Sequence, residues 1–239
     1  MITYSDISKN GSRNVNEDYL DTVFEENKAF FCLADGLGGH GKGDLASKLT
    51  IKEAFFCFEE NEDLGKCIEY AQNKLLAEQK KLNVNDEMKT TFVCLKIKEN
   101  IASWGHVGDS RLYFFRNNKL STRTLDHSVP QMLVATGEIK EKDIRFHEDR
   151  NRLIRVMGME WNSPKYDISD EVKLQNKDSF LLCSDGFWEL IDEKEITKLL
   201  KKSKTPQEWL FAMEEVILKN GKDKNMDNYS AIAVFVRQV

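Results

Sequence analysis

The sequence has 239 residues, of which 41% are hydrophobic and 31% are charged. A chain of this length and composition can bury a substantial core, which excludes a disordered protein and a small disulfide-stabilised one. Its 35 basic and 40 acidic side chains give a formal charge of −5, without the positive balance usual for nucleic-acid-binding proteins.

The first half of the chain predicts strands, then two long helices, then more strands. Apolar patterns indicate strands at residues 2–8, 18–24 and 28–34. From Gly43 onwards apolar residues recur at helical spacing, and a second amphipathic helix is predicted over 63–82. Four strands follow, at residues 90–98, 101–107, 112–116 and 119–124. Asn117-Asn118 predicts a tight hairpin between the last two, because Asn tolerates positive φ.

The second half opens with an irregular segment, residues 126–165, in which helical patterns occur only near 127–136 and 140–146. Strands resume, and two amphipathic helices precede a final strand; these elements are predicted at 166–174, 178–183, 193–202, 206–220 and 231–236. Helices and strands occur in blocks, which favours an α+β fold with antiparallel sheets. Because no Gly, Ser or Pro-rich linker divides the chain, one domain over 1–239 is the simplest interpretation.

The location of the protein is predicted from what the sequence lacks. No apolar run approaches the ~20 residues of a transmembrane helix, and the N-terminus has no signal-peptide pattern. The five cysteines form no Cys-x-x-Cys pair, which is typical of free thiols in a reducing compartment. We therefore expect a cytoplasmic protein that binds neither membranes nor nucleic acid.

Acidic residues recur at the ends of predicted strands. Asp-Gly follows an apolar strand at Asp35 and again at Asp185, Asp109 lies between two strands, and Asp227 opens the last strand. A single Asp-Gly is usually a turn, but several such carboxylates would converge on one sheet edge and repel each other. Such a cluster is tolerated mainly when a cation lies among the carboxylates.

The ligand types indicate which cation this would be. Oxygen ligands without Cys or His at ligand spacing favour Mg²⁺ or Mn²⁺ over Zn²⁺. Two such ions bridged by a carboxylate form a site for attack of water on phosphate, and such a site needs an arginine. Arg13 precedes Glu17 and Asp18 by four and five residues, so this segment is a candidate for phosphate binding.

Taken in order, these motifs resemble those of the type 2C (PPM) metal-dependent serine/threonine protein phosphatases. The resemblance covers nearly the whole chain, and its specificity comes from the order of motifs that are individually short. The matching segments are 11–18, 34–40, 105–111, 184–186 and 227–228, with further likeness at 126–128 and 147–151.

The resemblance implies a four-layer α-β-β-α sandwich of two antiparallel sheets flanked by helices. Asp35 would bridge two Mn²⁺ or Mg²⁺ ions, the Gly36 carbonyl would bind one of them, and Asp185 and Asp227 would complete the other. Asp109 would join Asp185 at a third, weaker metal site. Glu17 and Asp18 would lie just outside the ligands and hold metal-bound water, and Asn228 would also lie in this outer shell.

The resemblance also implies the reaction, which is hydrolysis of phosphoserine and phosphothreonine in proteins by a two-metal-activated water, with Arg13 on the phosphate. The chain would be a bacterial-type, stand-alone and monomeric catalytic domain with a flap at about 126–165, acting on substrates of a serine/threonine kinase. One position departs from the pattern, because Leu37 stands where eukaryotic members often carry a His that protonates the leaving group. His40 is the candidate acid, with a structural or solvent-facing role as its alternative.

Three competing interpretations start from the same residues. The run 36–41 also fits the Gly-x-Gly-x-x-Gly dinucleotide fingerprint, but a second helix follows where a βαβ unit needs a strand. A cysteine-dependent phosphatase needs Arg six positions after its Cys, and none of the five cysteines has one. The third is a catalytically weak, phosphoprotein-binding regulatory member of the same fold. The loss of a metal carboxylate would signal it, yet Asp35, Asp185 and Asp227 are all present.

Overall fold

The structure of the chain is a computed structural model that describes residues 1–25, 28–38, 41–84 and 87–237. The strands are β1 (Ile2–Lys9), β2 (Asp18–Glu25), β3 (Lys28–Asp35), β4 (Phe92–Lys98), β5 (Ile101–Val107), β6 (Arg111–Arg116), β7 (Lys119–Arg123), β8 (Asp167–Ile168), β9 (Val172–Lys173), β10 (Ser179–Cys183) and β11 (Tyr229–Val236). The helices are α1 (Gly43–Asn61), α2 (Leu64–Leu82), α3 (Val129–Ala135), α4 (Asp185–Trp188), α5 (Glu193–Leu200) and α6 (Pro206–Gly221), with a 3₁₀ helix at Glu141–Phe146.

These strands form two antiparallel sheets. One has the order β1-β11-β10-β6-β7, and the other has the order β2-β3-β4-β5-β8 with β9 also paired to β5. The alternation of side chains along β3 shows how the layers stack. Phe31 and Leu33 pack between the two sheets with Phe180, whereas Phe30 and Cys32 pack against α1 and α2 on the outer face.

The other outer face is covered in the same way. Ile232 and Val234 of β11 join the cluster between the sheets, while Ala233 and Phe235 face the helices α5 and α6, where Trp209 is fully buried. Helices, sheet, sheet and helices therefore make four layers. The predicted α+β, four-layer α-β-β-α sandwich is confirmed.

Local sequence explains where several elements begin. The side chains of Asp63, Asp192 and Thr205 each accept a backbone N–H from the first turn of α2, α5 and α6, as helix N-caps do. The hairpin prediction is also confirmed, since Asn117 and Asn118 have φ of 51° and 55°, which suits a type I′ turn.

All five cysteines are buried free thiols. No helix within the described residues is long and apolar enough to span a bilayer.

One local prediction was wrong, and one element was not predicted. The strand expected at 166–174 is two separate strands, because Trp104 N–H donates to Ser169 Oγ (3.0 Å) and interrupts the ladder between β8 and β9. The helical pattern near 140–146 corresponds to the 3₁₀ helix at Glu141–Phe146. The short helix α4 was not predicted, because four residues after a strand are too few to show helical periodicity.

Candidate metal centre and active site

The topology brings strand ends from both sheets to one place. In one sheet Asp18 at the start of β2 pairs with Asp35 at the end of β3. In the other, β10 pairs antiparallel with β6 and β11, so the end of β10 lies beside the starts of both neighbours. Asp185 follows β10, Asp109 precedes β6 and Asp227 precedes β11. The last three line one cavity of about 680 Å³ together with Asp35.

Burial and mutual repulsion perturb the carboxyl groups at this cavity. Burial raises the pKa of Asp35 well above its usual range, and the charges of Asp185, Asp18 and Asp109 raise it further. Burial is also the main cause of the raised pKa of Asp109, followed by the charge of Asp185. The pKa of Asp185 is raised by burial and then by Asp227. A divalent cation is the ordinary way to keep such a cluster ionised.

Asp18 lies behind this cluster and is buried. Its Oδ2 accepts a hydrogen bond from Ser184 Oγ (2.8 Å), whereas its Oδ1 is buried without a hydrogen-bond partner. Burial raises the pKa of Asp18 to about 7, with contributions from Asp185 and Asp227. An all-oxygen donor set with a spare buried acceptor beside it fits a hydrated hard cation, Mg²⁺ or Mn²⁺.

Arg13 and Asp227 form a bidentate ion pair at the mouth of the cavity. Arg13 donates from Nε to Oδ1 (3.1 Å) and from Nη2 to Oδ2 (2.9 Å), and both side chains are about half exposed. From sequence, Arg13 is expected on the phosphate and Asp227 on a metal, whereas in the structure the two contact each other. The arginine is therefore held beside the acidic cluster, with its two parallel donors directed at the Asp227 carboxylate.

Asn228 organises the loop that carries Glu17. Its Oδ1 accepts the Glu17 N–H (2.9 Å), and its Nδ2 donates to the carbonyls of Asn10 (3.0 Å) and Val15 (2.9 Å). The pKa of Glu17 is raised by burial and by the charges of Asp44 and Asp227. Asn228 therefore fixes the loop by its backbone, and Glu17 lines the cavity.

The turn that carries Asp35 and Gly36 is fixed by two threonines. Asp35 N–H donates to Thr91 Oγ1 (3.0 Å), and its carbonyl accepts from Thr91 N–H and Thr90 Oγ1 (both 2.8 Å). A Cβ at Gly36 would collide with the Gly43 carbonyl, so the close approach of α1 requires glycine here. Sequence reasoning missed both threonines, which lie more than fifty residues from the aspartate they hold.

The turn at Asp109 has its own supports. Trp188 Nε1 donates to the Asp109 carbonyl (3.0 Å), and Ser110 Oγ contacts Thr91 Oγ1 (2.6 Å). Thr91 therefore connects this turn to the one at Asp35. The candidate acid His40 lies outside the described residues. Leu37 lines the cavity and donates its N–H to the Lys89 carbonyl (2.9 Å).

Comparison with known proteins adds independent evidence. A family model described as protein phosphatase 2C matches residues 8–227, which is most of the chain. The chain belongs to the protein phosphatase 2C family.

Relatives and solved structures of this family agree with that assignment. The chain is 34% identical over 210 residues to the serine/threonine phosphatase stp of Listeria monocytogenes, covering 82% of this chain and 81% of the relative. The crystal structure of serine/threonine phosphatase Stp1 from Staphylococcus aureus is similar with a TM-score of 0.87 and 27% identity, covering 100% of this chain and 96% of that one. The Mycobacterium tuberculosis phosphatase PstP/Ppp has a TM-score of 0.84 and 25% identity, with 99% of both chains covered.

The protein phosphatase 2C fold also excludes the dinucleotide-binding interpretation. The strand before the glycine-rich run is β3, but α1 leads directly into α2, and β3 pairs antiparallel with β2 and β4. A dinucleotide fingerprint needs a parallel βαβ unit at this point. In this protein phosphatase 2C, Gly36 and Gly38 instead allow close approach of Gly43 and of the Glu17 carboxylate.

Proposed function

We propose that this protein is a metal-dependent phosphatase that hydrolyses phosphoserine and phosphothreonine in proteins. The observation that carries this proposal is the set of aspartates with raised pKa values that lines one cavity: Asp35, Asp109 and Asp185. Membership of the protein phosphatase 2C family supports it. The substrates would be proteins phosphorylated by a serine/threonine kinase.

The metal-holding residues follow from the same cavity. Asp35, Gly36, Asp185 and Asp227 would hold two Mn²⁺ or Mg²⁺ ions, and Asp109 with Asp185 would hold a third. Such ions would supply Lewis-acid activation of water and neutralise charge on the phosphate oxygens. The buried Oδ1 of Asp18 lacks a hydrogen-bond donor, so it is suited to accept from an ordered water and orient it.

Arg13 would bind the phosphate of the substrate. Its Nε and Nη2 already donate in parallel to two carboxylate oxygens of Asp227, and two phosphate oxygens offer the same acceptor geometry. Because this ion pair is half exposed, exchanging its partner has a small desolvation cost. His40 remains our candidate for the group that protonates the leaving alkoxide.

The remaining sequence expectations stay proposals of the same kind. Residues 1–239 would act as one monomeric catalytic domain in the cytoplasm. The segment 126–165 would act as a flap, and its residue Asn151 lines the cavity together with Leu153. Contact between this segment and the acidic cavity is what supports a part in substrate binding.

The test uses one peptide sequence carrying phosphoserine, phosphothreonine or phosphotyrosine, with phosphate release measured in Mn²⁺ and in EDTA. We expect release from the first two peptides only, in Mn²⁺ only, and its loss in Asp35→Asn. The control is Asp170→Asn, which removes an exposed carboxylate that lines neither this cavity nor its neighbour. Activity that survives EDTA would refute the mechanism, and tight phosphopeptide binding without hydrolysis would favour the regulatory alternative.

A further inference from the structure

We propose that His127, held by Asp167, is a positioning residue for Asp109. It fixes the Gly108-Asp109 turn and thereby sets the affinity of the third cation site. The metal part of this inference rests on the proposed function, whereas the positioning part concerns the protein alone. His127 belongs to a motif that the sequence analysis noted at 126–128 without assigning it any chemistry.

His127 contacts both polar backbone groups of Gly108. Gly108 N–H donates to His127 Nδ1 (3.1 Å), and His127 N–H donates to the Gly108 carbonyl (2.9 Å). Gly108 has a φ of +100°, and a Cβ there would collide with Thr91. This left-handed conformation therefore depends on glycine and is closed by one histidine.

The hydrogen bonds of the ring identify its tautomer. Since Nδ1 accepts the Gly108 N–H, it carries no proton, and in a neutral ring the proton is then on Nε2. Nε2 lies 3.0 Å from Asp167 Oδ2 and donates to it. Burial lowers the pKa of His127, which favours this neutral ring. Asp167 is in turn anchored on β8, where it pairs with His106 of β5.

The same histidine connects the turn to the proposed flap. Its carbonyl accepts the Ile154 N–H (2.9 Å), and the next residue, Ser128, is the N-cap of α3. On the other side of the turn, Trp188 holds the Asp109 carbonyl. Asp109 is thus presented to the cavity by a turn that is held from two directions. Substitution of His127 would remove one of the two supports of this turn. The ion pairs and core contacts elsewhere would stay intact.

A metal site at the histidines themselves is the competing interpretation. His106, His127 and Asp167 offer ligand atoms within 4.8 Å of one another. However, the two imidazoles are stacked at 4.5 Å with an interplanar angle of 20°, so their in-plane lone pairs do not converge on one cation. His106 Nε2 is committed to the Leu125 carbonyl (2.8 Å), and Arg155 Nη1 lies 3.4 Å from His127 Nε2. A guanidinium at that distance opposes a bound cation.

The experiment uses a matched pair of variants in metal-free and Mn²⁺-loaded protein. In His127→Asn the amide oxygen can take the place of Nδ1 and still accept from Gly108. In His127→Gln the amide reaches towards Asp167 and leaves the Gly108 N–H without its acceptor. We expect amide hydrogen exchange at Gly108, measured by NMR without metal, to rise about tenfold in the Gln variant, because one hydrogen bond to this N–H is lost. In the Asn variant it should change little.

The second measurement is calorimetric titration with Mn²⁺, with Asp109→Asn marking the third site. We expect the weakest site alone to lose about tenfold in affinity in His127→Gln. Equal exchange at Gly108 in the Gln variant and the wild type would overturn the positioning role, as would a uniform rise over all amides. Zn²⁺ or Mn²⁺ binding at the imidazoles in Asp109→Asn would overturn our choice over the competing site. If phosphopeptide hydrolysis fails but the exchange pattern holds, the proposed function fails and the positioning role stands.

Discussion

Two groups of desolvated charges lie side by side in this molecule and are treated in opposite ways. Arg111 and Asp126 are almost fully buried and form a bidentate pair, with Nε–Oδ1 at 2.8 Å and Nη2–Oδ2 at 2.6 Å. The guanidinium also stacks 3.4 Å from the centre of the Trp188 ring and donates to Tyr113 Oη (3.0 Å). Every charge in this group has a partner within the protein.

The acidic cavity is the contrast. In the part of the chain that the structure describes, no ion pair involves Asp35, Asp109 or Asp185, and burial raises the pKa of each. Asp109 and Arg111 are two residues apart in one motif, which contributes one residue to each group. The difference teaches that buried charge alone does not mark a functional site. A functional site is indicated by buried charges that have no counter-charge among the described residues.

The largest expected effect would come from breaking the paired group. Asp126→Asn removes the bidentate partner of the buried Arg111 guanidinium and leaves it only Glu193, whose Oε1 lies 3.5 Å from Arg111 Nη1 and is shared with Arg145. We expect the free energy of unfolding to fall by about 3–5 kcal/mol. Urea unfolding followed by tryptophan fluorescence measures it. Asp170→Asn, at an exposed carboxylate, should stay within about 0.5 kcal/mol of wild type. A loss below about 1 kcal/mol in Asp126→Asn would mean that the pair is not buried as described.

Removing a carboxylate from the acidic cavity should have the opposite effect on stability. In EDTA, Asp185→Asn removes one of the repelling carboxylates, so we expect the variant to be more stable than wild type. With free Mn²⁺ at a hundredfold excess over its dissociation constant, wild type should gain about 2.7 kcal/mol, and the variant should lose most of this gain.

Thermal unfolding of wild type and Asp185→Asn, each measured in EDTA and in Mn²⁺, gives both comparisons. A variant that is destabilised in EDTA would show that Asp185 has a structural partner. An equal Mn²⁺ gain in both proteins would show that the ion binds elsewhere.

The contrast also shows what could be predicted from sequence. Each acid of the cavity follows or precedes a strand, and a strand with an Asp-Gly end is a local pattern, so Asp35 and Asp185 were identifiable from their neighbours. The helices and hairpin were predictable for the same reason, since periodicity and Asn-Asn are local signals. The four-layer arrangement was implied by the resemblance and not by any pattern in the residues.

What was missed depends on contacts between distant segments. Thr91 holds Asp35 across more than fifty residues, and Trp188 reaches Asp109 from a helix too short to predict. The ion pair of Arg13 with Asp227 joins the two ends of the matched region, and each residue alone had been assigned to another partner. Such pairings follow from sheet order, which no local pattern in a single sequence encodes.

His106 sharpens the comparison with a third kind of buried ionisable group, one that is kept neutral. It is nearly fully buried on β5, and burial lowers its pKa to about 4, with the neighbouring His127 adding to the decrease. The groups that face it are the His127 ring, the carboxylates of Asp167 and Asp126, and the Leu125 carbonyl, to which Nε2 donates. The two carboxylates favour a protonated His106, but burial outweighs them, so protonation opposes folding.

The pH dependence of stability tests this neutral state and has the smallest expected effect. An unfolded His has a pKa near 6.5, so between pH 6.5 and about 4 the unfolded chain binds a proton that the folded protein does not. This contribution to stability is therefore complete above pH 6.5 and is lost as the pH falls towards 4. We expect the unfolding free energy of wild type, minus that of His106→Gln, to fall by about 2 kcal/mol between pH 7.5 and pH 5.

Urea unfolding in EDTA at the two pH values measures this difference. The contributions of the other titrating groups cancel in the difference between wild type and variant. Gln can still donate to the Leu125 carbonyl, but it takes up no proton. Parallel pH profiles would mean that His106 takes up a proton in the folded protein as readily as in the unfolded chain. His106 would then resemble the paired group of Arg111 and Asp126, as a cation balanced by the carboxylates of Asp167 and Asp126.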